Sequence, residues 1–172
     1  GGFPGNVKAK VVYTIYENKK ELNIKFSAKT DKPTLVNMTS HIYFNLNGGI
    51  KPVNEQILKI NASKVSTFDN HLIIQSFDPV NDLLDFREGK KVKEAITSPT
   101  LLNHRAHGLD HIFLLDNVDK TKPAASLTNP ENGRKVTVYT SSPAVVCYSD
   151  NFPTHLTNLA LIPEEINNGL TF

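Results

Sequence analysis

The sequence predicts an all-β protein, an antiparallel β-sandwich, on three observations. Apolar and polar residues alternate with a period of two at Val7–Ile15, Leu22–Ala28 and Leu58–Ala62, the pattern of strands with one buried face. Turn residues recur between such stretches at short spacing. No stretch sustains a 3.6-residue period, so helix is expected to take less than about a tenth of the chain, against the usual roughly one third.

Each element follows in order. Val7 to Ile15 is a strand, Glu17-Asn18-Lys19-Lys20 a turn, and Leu22 to Ala28 the returning strand of a hairpin. Asp31-Lys32-Pro33-Thr34 ends it, because proline cannot donate to a ladder. The run from Val36 to Leu46 reads as the next strand, and Gly48-Gly49 and Pro52 as a loop after it. Leu58, Ile60 and Ala62 form a short strand. Residues 64–100 carry Pro79 and Pro99 and no clean period, which predicts irregular structure with short strands. Lys91 to Ile96 fits one short helical turn. An apolar strand follows Gly108-Leu109-Asp110-His111. Ala125–Thr128 and Lys135–Thr140 flank Asn129-Pro130-Glu131-Asn132-Gly133, where Asn-Gly marks a hairpin. Val145 to Tyr148 is the last clear strand.

Composition narrows the function classes. The 172 residues are enough to bury a core, and the formal net charge is only +2, from scattered basic residues. No nucleic-acid partner is expected. No apolar run approaches the roughly 20 residues that span a bilayer, so no membrane partner is expected either. The opening Gly1-Gly2-Phe3-Pro4-Gly5 is not a signal peptide. The single Cys147 excludes an internal disulfide and fits a reducing compartment, so the expected location is cytoplasmic. Sequons at Asn37-Met38-Thr39 and Asn61-Ala62-Ser63 leave secretion open.

The chemistry concentrates in Val36-Asn37-Met38-Thr39-Ser40-His41-Ile42-Tyr43-Phe44-Asn45-Leu46. As a strand, it places Asn37, Thr39, His41 and Tyr43 on one face, like the floor of a polar binding site, and most of its apolar residues on the other. By itself, a lone histidine there reads first as a core side chain bonded to a neighbouring carbonyl.

Residues 37–46 resemble the signature strand of the aldose 1-epimerases (galactose mutarotases), which usually reads Asn-Leu-Thr-Asn-His-Ser/Thr-Tyr-Phe-Asn-Leu. Other segments are similar to that family in order. Gly2-Phe3-Pro4-Gly5-Asn6 resembles its Gly-Tyr-Pro-Gly, and Leu83-Leu84-Asp85-Phe86-Arg87 its Pro-Phe-Asp-Phe-Arg. Gly108-Leu109-Asp110-His111-Ile112-Phe113 resembles Gly-Tyr-Asp-His-x-Phe, and Tyr148-Ser149-Asp150-Asn151-Phe152 resembles Tyr-Thr-Gly-Asn-Phe. The resemblance covers nearly the whole chain but only the later part of the family's domain. It implies a galactose mutarotase-like supersandwich, with residues 1–172 as one partial domain.

The resemblance also implies a reaction. Aldohexoses such as galactose and glucose interconvert between α and β anomers through ring opening, with one proton taken from the anomeric hydroxyl and another given to the ring oxygen. Positioned side chains can perform every step, so no metal or organic cofactor is expected. His41 falls at the family's general-acid histidine, and Asp110 at the aspartate that accepts hydrogen bonds from sugar hydroxyls. Asn37 and Tyr43, on the face of His41, are expected to add substrate contacts. His111 is expected to serve structure, and His104, His107 and His111 lack the spacing of a zinc site.

The family's general base is a glutamate in Leu-Glu-Pro/Thr-Gln. Here the segment reads Leu161-Ile162-Pro163-Glu164-Glu165, and alignment on the proline puts Ile162 at the glutamate's place. Glu164, two residues on, could substitute only through a backbone shift of about 6–7 Å; its other reading is a solvated carboxylate. The family's sugar-binding arginine and second histidine fall in an N-terminal part outside this chain. A complementary N-terminal chain or segment is therefore an expected partner beside the sugar, and the isolated chain is expected to be inactive. The alternatives are a catalytically impaired carbohydrate-binding relative that lost the base, and a sandwich domain in which the polar strand merely packs.

Overall fold

The computed structural model describes residues 2–49, 51–152, 167 and 169–172. The chain divides into two compact units, Gly1–Ser40 and His41–Phe172.

In the first unit, β1 (Val7–Tyr16) pairs antiparallel with β2 (Glu21–Thr30) in unbroken register, Val7 opposite Thr30 and Tyr16 opposite Glu21. The turn is a single 3₁₀ turn, Glu17–Lys19, closed by Lys20 in the left-handed region, whose N–H donates to the Glu17 carbonyl at 3.1 Å. At the open end, the Asn6 backbone N–H and side-chain amide donate to the two Asp31 carboxylate oxygens at 2.7 and 2.9 Å. These bonds hold the Asp31 carboxyl below the ordinary carboxylate range. The predicted hairpin is present, but its expected buried face is not. Val7, Val11, Tyr13 and Ile15 are all exposed, Ile15 by 74%. A two-stranded ladder has no second layer to cover a face, whatever its sequence pattern.

The second unit holds the sandwich. Its strands are β3 (Ile57–Ile60), β4 (Ala62–Phe68), β5 (Ile74–Pro79) and β6 (Lys90–Lys91). Two short helices follow, α1 (Val92–Ile96) and α2 (Pro99–Leu102), five and four residues long. Then come β7 (Asp110–Leu115), β8 (Ala125–Thr128), β9 (Lys135–Val138) and β10 (Ala144–Tyr148). One sheet has the order β10-β7-β4-β5 and the other β6-β3-β8-β9, with every pairing antiparallel. The two sheets share one core: Leu58, Ile60 and Leu127 from one and Val65, Phe113 and Cys147 from the other are all buried in it. Phe86 joins them, edge-on to Phe113 with ring centroids 6.0 Å apart. Beside it, Arg87 clamps Asp85 with two hydrogen bonds of 2.9 and 2.7 Å, so the Asp85 carboxyl falls to about 2.

Two expected strands differ. The alternation at Leu58, Ile60 and Ala62 is not one strand: the chain leaves β3 at Asn61 and enters β4 in the opposite sheet. Hydrogen bonds pin that corner, with the Asn61 N–H donating to the Ala124 carbonyl at 2.9 Å and its side-chain amide to the Pro123 carbonyl at 2.6 Å. The run from Val36 to Leu46 forms no ladder. Its one bridge among the described residues is Phe44 with Leu170, so its polar face is a property of extended chain and not of a strand. Among the described residues, no helix is long and apolar enough to cross a membrane.

Candidate functional site

The site begins from two neighbouring strands of one sheet, the edge strand β10 and β7 beside it. β10 runs antiparallel to β7 and sets Tyr148 opposite Asp110, at the end where the loop after β10 leaves the sheet. The last residues of the chain complete the floor: Thr171 bridges Tyr148, and Leu170 bridges Phe44 through hydrogen bonds of 2.8 and 3.1 Å. Residues 41–44 are thereby held beside the end of β10. A Cβ on Gly169 would stand 2.9 Å from the Tyr43 Cβ, so only glycine lets that side chain lie against the C-terminal segment.

Three rings meet there. The His41 imidazole lies 5.1 Å from the Tyr43 ring and 6.1 Å from the Tyr148 ring, and the two tyrosines are 6.2 Å apart, edge to face. His41 is exposed and Tyr43 is 45% exposed, so the cluster opens to solvent. Two half-buried carboxylates, Asp110 and Asp150, lie within electrostatic reach of His41. Burial pushes the Asp110 carboxyl above its ordinary value, against the opposing pull of His104 and His41. Burial does the same to Asp150, again opposed by His41. Burial likewise raises the Tyr43 hydroxyl, with Asp150, Tyr148 and Asp110 adding to it in that order. None of the described residues donates a hydrogen bond to either carboxylate.

A buried clamp fixes the turn that carries Asp150. The Leu109 N–H donates to Ser149 Oγ at 3.0 Å, Ser149 Oγ donates to Asn151 Oδ1 at 2.5 Å, and Asn151 Nδ2 donates to the Leu109 carbonyl at 2.9 Å. Gly108 is what allows this: a Cβ there would lie 2.2 Å from Asn151 Oδ1. Behind Asp110, His111 is buried, and its Nδ1 accepts a hydrogen bond from the Asp110 N–H at 3.1 Å. Burial holds this imidazole down at about 4, so it is neutral at ordinary pH.

The structure thus brings Asp110 close to His41 and Tyr43, from which it is far in sequence. Asn37 belongs to the other unit, and Ile162 and Glu164 lie outside the described residues. Tyr148 and Asp150 are further members that the sequence reading did not single out. Their signal was present in the Tyr148–Phe152 segment, where an aspartate stands at a glycine of the resembled pattern. His104, also left without a role, acts electrostatically on Asp110 and stacks 6.1 Å from His111.

Imidazole, phenol and carboxylate groups gathered at one end of a sheet of a β-sandwich are side chains whose chemistry allows hydrogen bonds to hydroxyls and proton transfer. Comparison with known proteins narrows the class. The aldose 1-epimerase family matches over residues 1–168, and the chain belongs to that family. Aldose 1-epimerase of Escherichia coli (strain K12) is 34% identical over 156 residues, which cover 88% of this chain and 44% of that protein. Galactose mutarotase of Homo sapiens is 32% identical over 154 residues, 88% of this chain and 43% of that protein. The crystal structure of galactose 1-epimerase from Lactobacillus acidophilus NCFM superposes with a TM-score of 0.83 at 30% identity, over 99% of this chain and 48% of that one. The chain therefore spans less than half the length of the relatives it matches.

Proposed function

We propose that the site opens and recloses the ring of an aldohexose, galactose or glucose, and so interconverts its α and β anomers. The ring cluster of His41, Tyr43 and Tyr148 beside Asp110 is the observation that supports this most directly, because it joins an imidazole to a carboxylate that takes no hydrogen bond from the described residues. In this reading His41 gives a proton to the ring oxygen as the C1–O bond breaks, and Asp110 accepts hydrogen bonds from sugar hydroxyls. Tyr43 packs its ring on the sugar beside His41. Each step is a proton transfer, so the mechanism calls for no metal or organic cofactor.

The chain acts in this reading as one part of a single mutarotase-like domain. An N-terminal chain or segment completes it and brings the arginine and second histidine that resemblance to the family implies. The apolar side chains displayed by β1 and β2 give such a segment something to cover.

Polarimetry on freshly dissolved α-galactose tests the proposal. The native protein at its natural length should speed the approach to equilibrium, whereas residues 1–172 alone should leave the solution rate unchanged. His41→Asn in the complemented protein should cost about 10²–10⁴ in rate. A native protein no faster than buffer would defeat the reading; one that binds galactose without speeding it is the impaired relative.

A further inference from the structure

The family's glutamate position holds Ile162, which cannot accept a proton, yet the site contains a carboxylate that the resembled pattern lacks. That carboxylate belongs to Asp150, which stands where the pattern has glycine. Its backbone explains the glycine: Asp150 has φ +52°, in the left-handed region that most side chains avoid. A non-glycine residue held there within a clamped turn marks a constraint worth a functional explanation.

The turn aims Asp150 with little freedom. Its neighbours Ser149 and Asn151 are 0% and 4% exposed and turned inward onto Leu109, while its own carbonyl accepts the Asn167 N–H at 3.0 Å. Asp150 lies two residues beyond Tyr148, whose ring touches both His41 and Tyr43. The carboxylate is half-buried and takes no hydrogen bond from the described residues. It nevertheless acts on the Tyr43 hydroxyl more strongly than Asp110 does, and it feels the His41 charge.

We propose that Asp150 is the proton acceptor of this site, in place of the family's glutamate. The inference rests on the anomer-interconverting reading above. Asp150 takes the proton of the anomeric hydroxyl as that oxygen forms the carbonyl, the C1–ring-oxygen bond breaks, and His41 delivers its proton to the ring oxygen. After rotation about C1–C2 the steps reverse, which restores both residues. Asp110 remains a hydrogen-bond acceptor for the sugar, and Tyr43 orients its hydroxyl between the two carboxylates.

The experiment uses the native protein at its natural length, with anomer exchange of galactose followed by polarimetry and galactose binding followed by calorimetry. Asp150→Asn keeps a residue that tolerates the left-handed backbone and should lower kcat by about 10²–10⁴-fold with KM and affinity nearly unchanged. Asp150→Gly relieves the backbone and should melt at or above the wild-type temperature, yet lose the same activity, which a merely structural aspartate would not. If both Asp150 variants keep wild-type kcat, the proposal is wrong while the anomer reading stands. If the wild type binds galactose without accelerating exchange, no base is at work and the proposal also falls. If the wild type neither binds nor accelerates, the anomer reading itself fails and takes this inference with it.

Discussion

His111 shows how burial sets charge at the scale of one residue. Its imidazole is 5% exposed, its Nδ1 is occupied as an acceptor, and its pKa drops to about 4. In the unfolded chain the same group takes a proton near pH 6.5. The unfolded state therefore binds more protons between those values. Stability from this group is complete above about pH 6.5 and is lost as pH falls through the window to about 4. The linked change is on the order of a few kcal/mol. Urea midpoints measured from pH 7 to pH 4 should fall, and His111→Gln should flatten that fall; an equal slope in the variant would place the titration elsewhere. Asp110 obeys the same rule with opposite charge: burial raises its carboxyl, so its ionised, hydrogen-bond-accepting form is lost at a higher pH than an ordinary aspartate would require. His41 and Asp110 stand out in the sequence because whole segments around them carry a pattern. Asp150 does not, since only the fold shows that its backbone is left-handed and that its carboxylate lies within electrostatic reach of His41.

At the scale of elements, alternation proved a sound guide to strands and a poor guide to what covers them. β1, β2, the β8–β9 hairpin and β10 lie close to where period two and turn residues put them, and the helical turn after Lys91 is α1. The corner at Asn61 was illegible because inward and outward side chains keep alternating while the backbone hands over from one sheet to the other. The run around His41 was misread as a strand because a ladder needs a partner as well as a pattern, and only Phe44 finds one, in Leu170 near the other end of the sequence. The clamp between β7 and β10 makes a sharp prediction. In Gly108→Ala the new methyl group would meet Asn151 Oδ1 at 2.2 Å, backed by Ser149 Oγ at 2.9 Å. Overpacking of this kind costs about 1–3 kcal/mol, so the denaturant midpoint should drop and the Asp150 turn should loosen. An unchanged midpoint would mean that the turn yields freely. In the core, Phe113→Ala should cost about 3–5 kcal/mol by leaving a cavity against Phe86.

At the scale of the molecule, stability is unevenly distributed. The sandwich unit has a continuous buried core, while the hairpin unit exposes Val7, Val11, Ile15 and Leu22. Amide exchange should therefore be fast in β1 and β2 and slowest in β3, β7 and β8; equal protection in the isolated chain would contradict the division. The same unevenness fits a chain that matches less than half the length of its relatives and whose complete activity is proposed to need more than these residues. The claim on which everything else depends is that the His41 cluster is where sugar binds. Its most direct test is a galactose titration of the native-length protein, followed by the ring resonances of its histidines, tyrosines and phenylalanines. The account predicts saturable shifts at His41, Tyr43 and Tyr148, with the Phe86–Phe113 pair unmoved. Saturable binding that leaves those three rings untouched would contradict it.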